Sequence, residues 1–255
     1  MTGPRVRGAV FTDVDGTLTV SRSSTELDLE AVRWMRVLRS RGYAVVLVSG
    51  NSVPVLAGLS TYLGLSDAVV AENGCAVYAG GLGLSVLCSE SLVERLNEVA
   101  REVVVRSGGV LRESWQNRFR FCDRAFKWSR VSESEAITML VEILREVAGS
   151  EFIEDVKVES SGYAIHVHAR DCDKGTGIKR LISILGWSGI KTYCIGDSIT
   201  DLPMRGVCEY LVAVSNSDSR LRNVADYVTS KPSSKGFIEF AMKLLAGELP
   251  TKATR

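Results

Sequence analysis

The sequence predicts an α/β fold, a doubly wound parallel sheet interrupted by a smaller α+β module. Three observations carry this. Short apolar runs alternate with amphipathic stretches through both ends of the chain. The alternation fails between about residues 80 and 170. The apolar runs are continuous rather than alternating, as strands covered on both faces require.

The runs "GAVFTDV", "YAVVLVSG", "DAVVAENG", "KTYCIGD" and "EYLVAVSN" read as buried strands, each ending in glycine or polar residues. Between the first two lies a helix, with Leu29, Val32, Met35 and Leu38 on one face and a stop at Gly42. Further helices are predicted over "VPVLAGLSTYLGL" and "GIKRLISILGW". Within the break the order is helix ("SLVERLNEVAREVVV"), extended ("VLRESWQNRFRFCD"), helix ("SESEAITMLVEILREVAG"), then two strands ("FIEDVKVES", "YAIHVHAR"). Ser132 and Glu135 have capping-box spacing at the second helix. Residues 1–80 and 170–255 are therefore assigned to the larger domain and 81–169 to the insert, entered through a glycine-rich hinge, "YAGGLGL". The tail "GELPTKATR" reads as frayed.

The 255 residues are 45% hydrophobic and 24% charged, with a formal net charge of +1. That supports a substantial core and argues against a nucleic-acid or membrane-surface binder, which would show a basic excess. Without a membrane-spanning run or a signal-peptide pattern, a cytoplasmic protein is expected. A homodimer is compatible with the sequence. Six scattered cysteines without a C-x-x-C pair argue against zinc and against a secreted disulfide framework. Cys194, inside an apolar run, reads as a small buried residue, although a cytosolic disulfide in a thermophile stays open.

Chemistry concentrates at strand ends. Asp13 and Asp15 project to one side of an extended chain, at the carboxyl edge where open α/β sheets form their crevice. Other ends contribute Ser49, Gly50 and Asn51, then Asp197 with Ser198, and Asp201. Lys174 precedes a helix. Clustered carboxylates need a hard cation, and an all-oxygen set favours Mg²⁺, which usually recruits a substrate phosphate. Serine and lysine are ordinary phosphate donors. One carboxylate would attack phosphorus while the second moves protons. An EF-hand fails because the glycine comes at the fourth position, and no Walker A pattern exists. A helix-capping role for Asp13 and Asp15 leaves the other motifs unexplained.

Asp13-Val14-Asp15-Gly16-Thr17, Ser49, Lys174 and Gly196-Asp197-Ser198-x-x-Asp201 resemble the four motifs of the haloacid dehalogenase superfamily of phosphatases. The insert's position resembles that superfamily's type II cap. Within it, "SGNSVPVLAGLSTYLGL", "AENG" and "QNRFR" are most similar to the archaeal phosphoglycolate phosphatases, with Phe119 where that group has tryptophan. The resemblance implies a Rossmann-like core and Mg²⁺-dependent hydrolysis of a small phosphomonoester, best guessed as 2-phosphoglycolate. It makes Asp13 the nucleophile and Asp15 the acid/base, with Lys174 and Ser49 on the phosphoryl group. The cation would lie on Asp13, the backbone carbonyl of Asp15, Asp197 and Asp201. Sugar-phosphate or mannosyl-3-phosphoglycerate phosphatases and phosphomutases are the alternatives within the superfamily. A phospho-aspartate receiver is the non-enzymatic one, and the insert fits it poorly.

Weaker features complete the expectations. Arg118 and Arg120, on one face of a cap strand, could clamp a substrate carboxylate or simply face solvent. His166 and His168 share a polar cap face, from which His166 could reach the crevice. Asn73 and Asn216 end strands, as phosphate donors or turn formers. Trp115 and Trp128 are expected in the insert's core.

Overall fold

The computed structural model describes residues 6–250. The larger sheet is built from β1 (Gly8–Thr12), β2 (Tyr43–Val48), β3 (Ala68–Ala71), β4 (Ala76–Ala79), β5 (Gly83–Val86), β10 (Lys191–Gly196), β11 (Tyr210–Ala213) and β12 (Tyr227–Val228). Its order is β12-β11-β10-β1-β2-β3-β4-β5. Pairing is parallel from β12 to β3 and antiparallel across β4 and β5. Alternate residues of each strand feed two cores. Val10, Val45 and Leu47 meet α1 (Leu29–Ser40), α2 (Val53–Tyr62) and α7 (Ser233–Ala246). Phe11, Val46 and Val48 meet α5 (Lys174–Ile184) and α6 (Ser219–Val224).

The insert is a four-stranded antiparallel sheet, β6 (Leu111–Glu113), β7 (Asp123–Trp128), β8 (Val156–Ser160) and β9 (Ile165–Ala169), in the order β6-β7-β9-β8. The helices α3 (Glu90–Arg106) and α4 (Glu133–Asp155) cover one face, where Phe126, Ile165 and Val167 pack on Leu96, Leu140 and Phe152. The capping box of Ser132 and Glu135 starts α4. The opposite sheet face, carrying Asp123, Ala125 and His166 in register, is left for the larger domain.

Several expectations change. Residues 81–86 belong to the larger sheet, because "YAGGLGL" closes the β4–β5 hairpin, so the crossover falls after Val86 and not at 80. The stretch at 115–119 is a 3₁₀ turn, capped by the Ser114 side chain on the Gln116 N–H, and not extended chain. Residues 152–155 end α4, since Phe152 is buried in the cap core. The tail's residues 251–255 lie outside the described residues. Cys194 is buried but bridged to Cys208, and a second disulfide joins Cys88, at the crossover, to Cys122. Among the described residues, no helix is long and apolar enough to cross a membrane.

The Cys88–Cys122 bridge closes a loop of 34 residues around the entry to the cap. The chain-entropy model assigns it about 3 to 4 kcal/mol. A Cys88→Ser/Cys122→Ser protein is expected to unfold in urea with a free energy lower by that amount. Equal midpoints at equal slopes would show that the bridge adds nothing.

Candidate active site

The parallel strands end together at one edge, which concentrates polar side chains over a cavity of about 500 Å³. Asp13 follows β1, and its N–H donates to the Ile195 carbonyl of β10 at 3.0 Å. Gly16 turns the chain with φ +88°, where a Cβ would fall 2.5 Å from Asp197 Oδ2. Ser49 follows β2, and its N–H donates to Val70 of β3 at 3.0 Å. Lys174 opens α5 beside Gly74, where a Cβ would lie 1.8 Å from the Asp173 carbonyl, so only glycine permits that approach.

Lys174 Nζ donates to Asp13 Oδ1 and Asp201 Oδ1, each at 2.6 Å, with all three side chains buried. Asp201 Oδ2 accepts from the backbone N–H groups of Asp197 and Ser198 at 2.9 Å, which fixes the loop after β10. Arg22 Nε lies 3.2 Å from Asp197 Oδ2. Carboxylate oxygens of Asp13, Asp197 and Asp201 lie within 4.8 Å of one another. Burial, opposed by Lys174 but reinforced by Asp201, Asp197 and Asp15, pushes Asp13 well above the usual carboxylate range. Burial and Asp201 push Asp197 up to about 7. Burial disfavours the Lys174 ammonium, yet Asp13 and Asp201 outweigh it and hold its pKa above the ordinary value. Asp197 Oδ1 is buried without a partner. One ammonium thus serves too many carboxylates, and the orphaned oxygen fits a hard cation. The Asp15 carboxylate stands outside the close set; Asn51 Nδ2 binds its Oδ2 at 2.9 Å.

Asn51 also donates to Ser49 Oγ at 2.9 Å and accepts from Gln116 Nε2 of the cap at 2.7 Å. Gln116 Oε1 receives the Ser52 N–H at 2.8 Å, so one cap amide grips the loop after β2 twice. Arg120 Nη1 donates to the Gly50 carbonyl and to Asp123 Oδ2, both at 2.6 Å, and His166 Nδ1 meets the same Asp123 oxygen at 2.7 Å. Glu72 Oε2 accepts the N–H groups of Phe121 and Cys122 at 2.9 Å. Burial and the Asp123 charge raise Glu72 to about 7.

The cavity thus gathers Asp13, Asp15, Ser49, Gly50, Asn51, Asn73, Arg120 and Lys174. Asn73 is buried, with Nδ2 unpartnered. Asp197 and Asp201 lie behind this lining. Arg118 does not join it: the 3₁₀ turn breaks the alternation, leaving Arg118 exposed and Arg120 buried. His166 lines the cavity, whereas His168 is buried against the Ala169 carbonyl and Glu159. Trp115 is 66% exposed at the rim and not in the cap core, which Trp128 does flank. Asn216 pairs with Ser233, away from the cavity. Sequence reasoning passed over Arg22, Gln116 and Asp123. Each acts through a contact across 43 or more positions that no local pattern announces.

A family model described as haloacid dehalogenase-like hydrolase matches residues 10–103 and 122–240. The chain belongs to this family. Phosphoglycolate phosphatase 1 of Saccharolobus solfataricus is 38% identical over 240 residues, covering 94% of this chain and 96% of the relative. The phosphoglycolate phosphatase of Staphylothermus marinus is 37% identical over 250 residues, covering 94% and 98%. The crystal structure of Thermoplasma acidophilum 0175 has the same fold, with a TM-score of 0.77 at 24% identity, covering 96% of this chain and all (100%) of that one. The family match leaves out residues 104–121, the segment that holds Gln116 and Arg120.

Because burial raises Glu72 from 4.5 to about 7, its folded form binds the proton more tightly than the unfolded chain. That stability is fully present below pH 4.5 and is lost as pH rises through about 7. Glu72→Gln keeps an acceptor for the two N–H groups and is expected to remove this contribution, on the order of 3 kcal/mol, from the total decline, to which the raised Asp13 and Asp197 also contribute. Urea midpoints between pH 4.5 and 8 check this; a parallel decline in both proteins would assign it elsewhere.

Proposed function

We propose that this chain is a Mg²⁺-dependent phosphatase of small phosphomonoesters, acting on 2-phosphoglycolate to give glycolate and phosphate. The observation that carries the reading is Lys174 clamped between Asp13 and Asp201 at the floor of a cavity closed by the cap. The names of the curated relatives support the substrate.

Lys174 takes Oδ1 of Asp13, which leaves the second carboxylate oxygen to attack phosphorus. The new Asp13–phosphorus bond forms as the bond to the leaving oxygen breaks, and Asp15 gives that oxygen its proton. Asp15, oriented by Asn51, then takes a proton from water, which attacks phosphorus and releases phosphate from Asp13. Ser49 and Lys174 donate to phosphoryl oxygens throughout, and Asn73 Nδ2 is a further donor at the same edge. Asp13, Asp197, Asp201 and the Asp15 carbonyl would hold Mg²⁺, which supplies charge neutralisation to the phosphoryl group. The cap excludes water while these steps run. A cytoplasmic location is consistent with a small soluble metabolite as substrate.

Phosphate release should be measured with Mg²⁺ over a panel of 2-phosphoglycolate, mannosyl-3-phosphoglycerate, sugar phosphates and an aryl phosphate. Phosphoglycolate is expected to show the highest kcat/KM; a low rank would remove the substrate and keep the phosphatase. Asp13→Asn is expected to lower kcat by at least about 10³-fold while folding normally. Full turnover by that variant would sink the mechanism. Chelation by EDTA should abolish release, and Mg²⁺ should restore it.

A further inference from the structure

Opposite the phosphate-binding floor, the cap presents a second polar group that the steps above do not use. Arg120 and His166 line the same cavity as Asp13 and Lys174, and both converge on one oxygen of Asp123. All three side chains are at least nine-tenths buried, at 3%, 6% and 0% exposure. Their position follows from register: Ala125 pairs with His166, and Asp123 with His168, so the sheet's uncovered face brings Asp123 and His166 together diagonally. Gly50 admits the imidazole against the loop after β2, because a Cβ there would come within 3.1 Å of His166 Cε1. Arg120 reaches the Gly50 carbonyl itself.

The protonation pattern can be deduced. His166 and Arg120 outweigh the burial of Asp123 and hold it at about 2, so its oxygens act only as acceptors. Nδ1 of His166 must therefore carry a proton, and Nε2 is the nitrogen left for a ligand. Arg120 keeps Nε buried without a partner, so the fork is only partly satisfied by protein.

We propose that Arg120 and His166, anchored on Asp123, form the subsite for a carboxylate on the substrate's leaving group. The pair selects phosphorylated hydroxy acids over neutral phosphate esters. This deepens the phosphatase reading and rests on it for the placement of the phosphate. Buried donors on the cap, facing Lys174 and Ser49 across one cavity, match a ligand with anionic groups at opposite ends. A neutral alkyl or aryl leaving group would offer no acceptor to the donor capacity that Asp123 and Gly50 leave over on Arg120 and His166, which is the basis of discrimination.

The test uses binding, so that it stands apart from turnover. In the Asp13→Asn chain with Mg²⁺, the dissociation constants of 2-phosphoglycolate and ethyl phosphate are measured by calorimetry. Phosphoglycolate is expected to bind more tightly. Adding His166→Asn, whose amide can still donate to Asp123 but lacks Nε2, is expected to erase roughly 10-fold or more of that preference. Its effect on ethyl phosphate should stay within about 2-fold. Arg120→Lys, which keeps the charge and loses the fork, should act in the same direction and decides the matter if His166→Asn does not fold. Lys127→Met, at the exposed rim of the same cavity, serves as the control and should leave the preference intact. Equal weakening of both ligands, no preference in the parent chain, or loss of preference through Lys127 alone would each overturn the subsite. Failure of the phosphatase reading looks different: the unsubstituted chain would release no phosphate from any ester while the binding preference persisted.

Discussion

Everything at the catalytic edge is arranged around one buried ammonium. Lys174 joins the end of β1 to the loop after β10 through two 2.6 Å bonds, and it does so from the first turn of α5. A lysine placed there without Asp13 and Asp201 would be a buried unpaired charge, and the two acids without it would repel. The arrangement is still short of positive charge, as the raised Asp13 and Asp197 and the orphaned Asp197 oxygen show. A hard cation on Asp13, Asp197 and Asp201 would offset that shortfall. The scaffold tolerates it because the floor is rigid: β1 lies between β10 and β2, with every residue of β1 buried.

The cap is attached to this floor by buried polar contacts and by a small apolar cluster, in which Phe121, Cys122 and Ala169 pack with Cys75 and Val86 of the larger domain. Its own core lies on the far side of its sheet, under α3 and α4. The polar contacts that cross include Gln116 on Asn51 and Ser52, Arg120 on Gly50, Tyr163 on the Arg22 carbonyl, and Glu72 under the N–H groups of Phe121 and Cys122. Such an interface is specific in geometry, and the Cys88–Cys122 bridge ties the cap's entry covalently to its sheet.

The larger domain was legible because its determinants are local. Continuous apolar runs ending in Asp13, Ser49 or Asp197 announce buried strands whose tips carry polar groups, and the order of those tips follows from a right-handed crossover topology. The cap's side of the site was not legible, for reasons that can be named. Arg118 and Arg120 look equivalent in a strand, and only the 3₁₀ turn, set by a Ser114 cap, separates them. The Asp123–His166 pair depends on the register between β7 and β9, which adjacent residues do not encode. Glycines 80, 81 and 83 read as a hinge because a tight hairpin turn and a flexible joint draw on the same residue. The disulfide of Cys194 follows from Cα atoms 5.9 Å apart, which spacing along the chain does not reveal.

Asn51 carries a consequence beyond adhesion. Its amide nitrogen binds Asp15 and its amide oxygen is held by Gln116, so one planar group spans Asp15 and the cap. An amide cannot rotate to satisfy one neighbour without moving the other. Cap position and Asp15 alignment are therefore linked through one side chain. On the proposed mechanism, an ester that occupies the floor without favouring closure would meet an Asp15 that is poorly aimed, and selectivity would then be read in the chemical step as well as in occupancy.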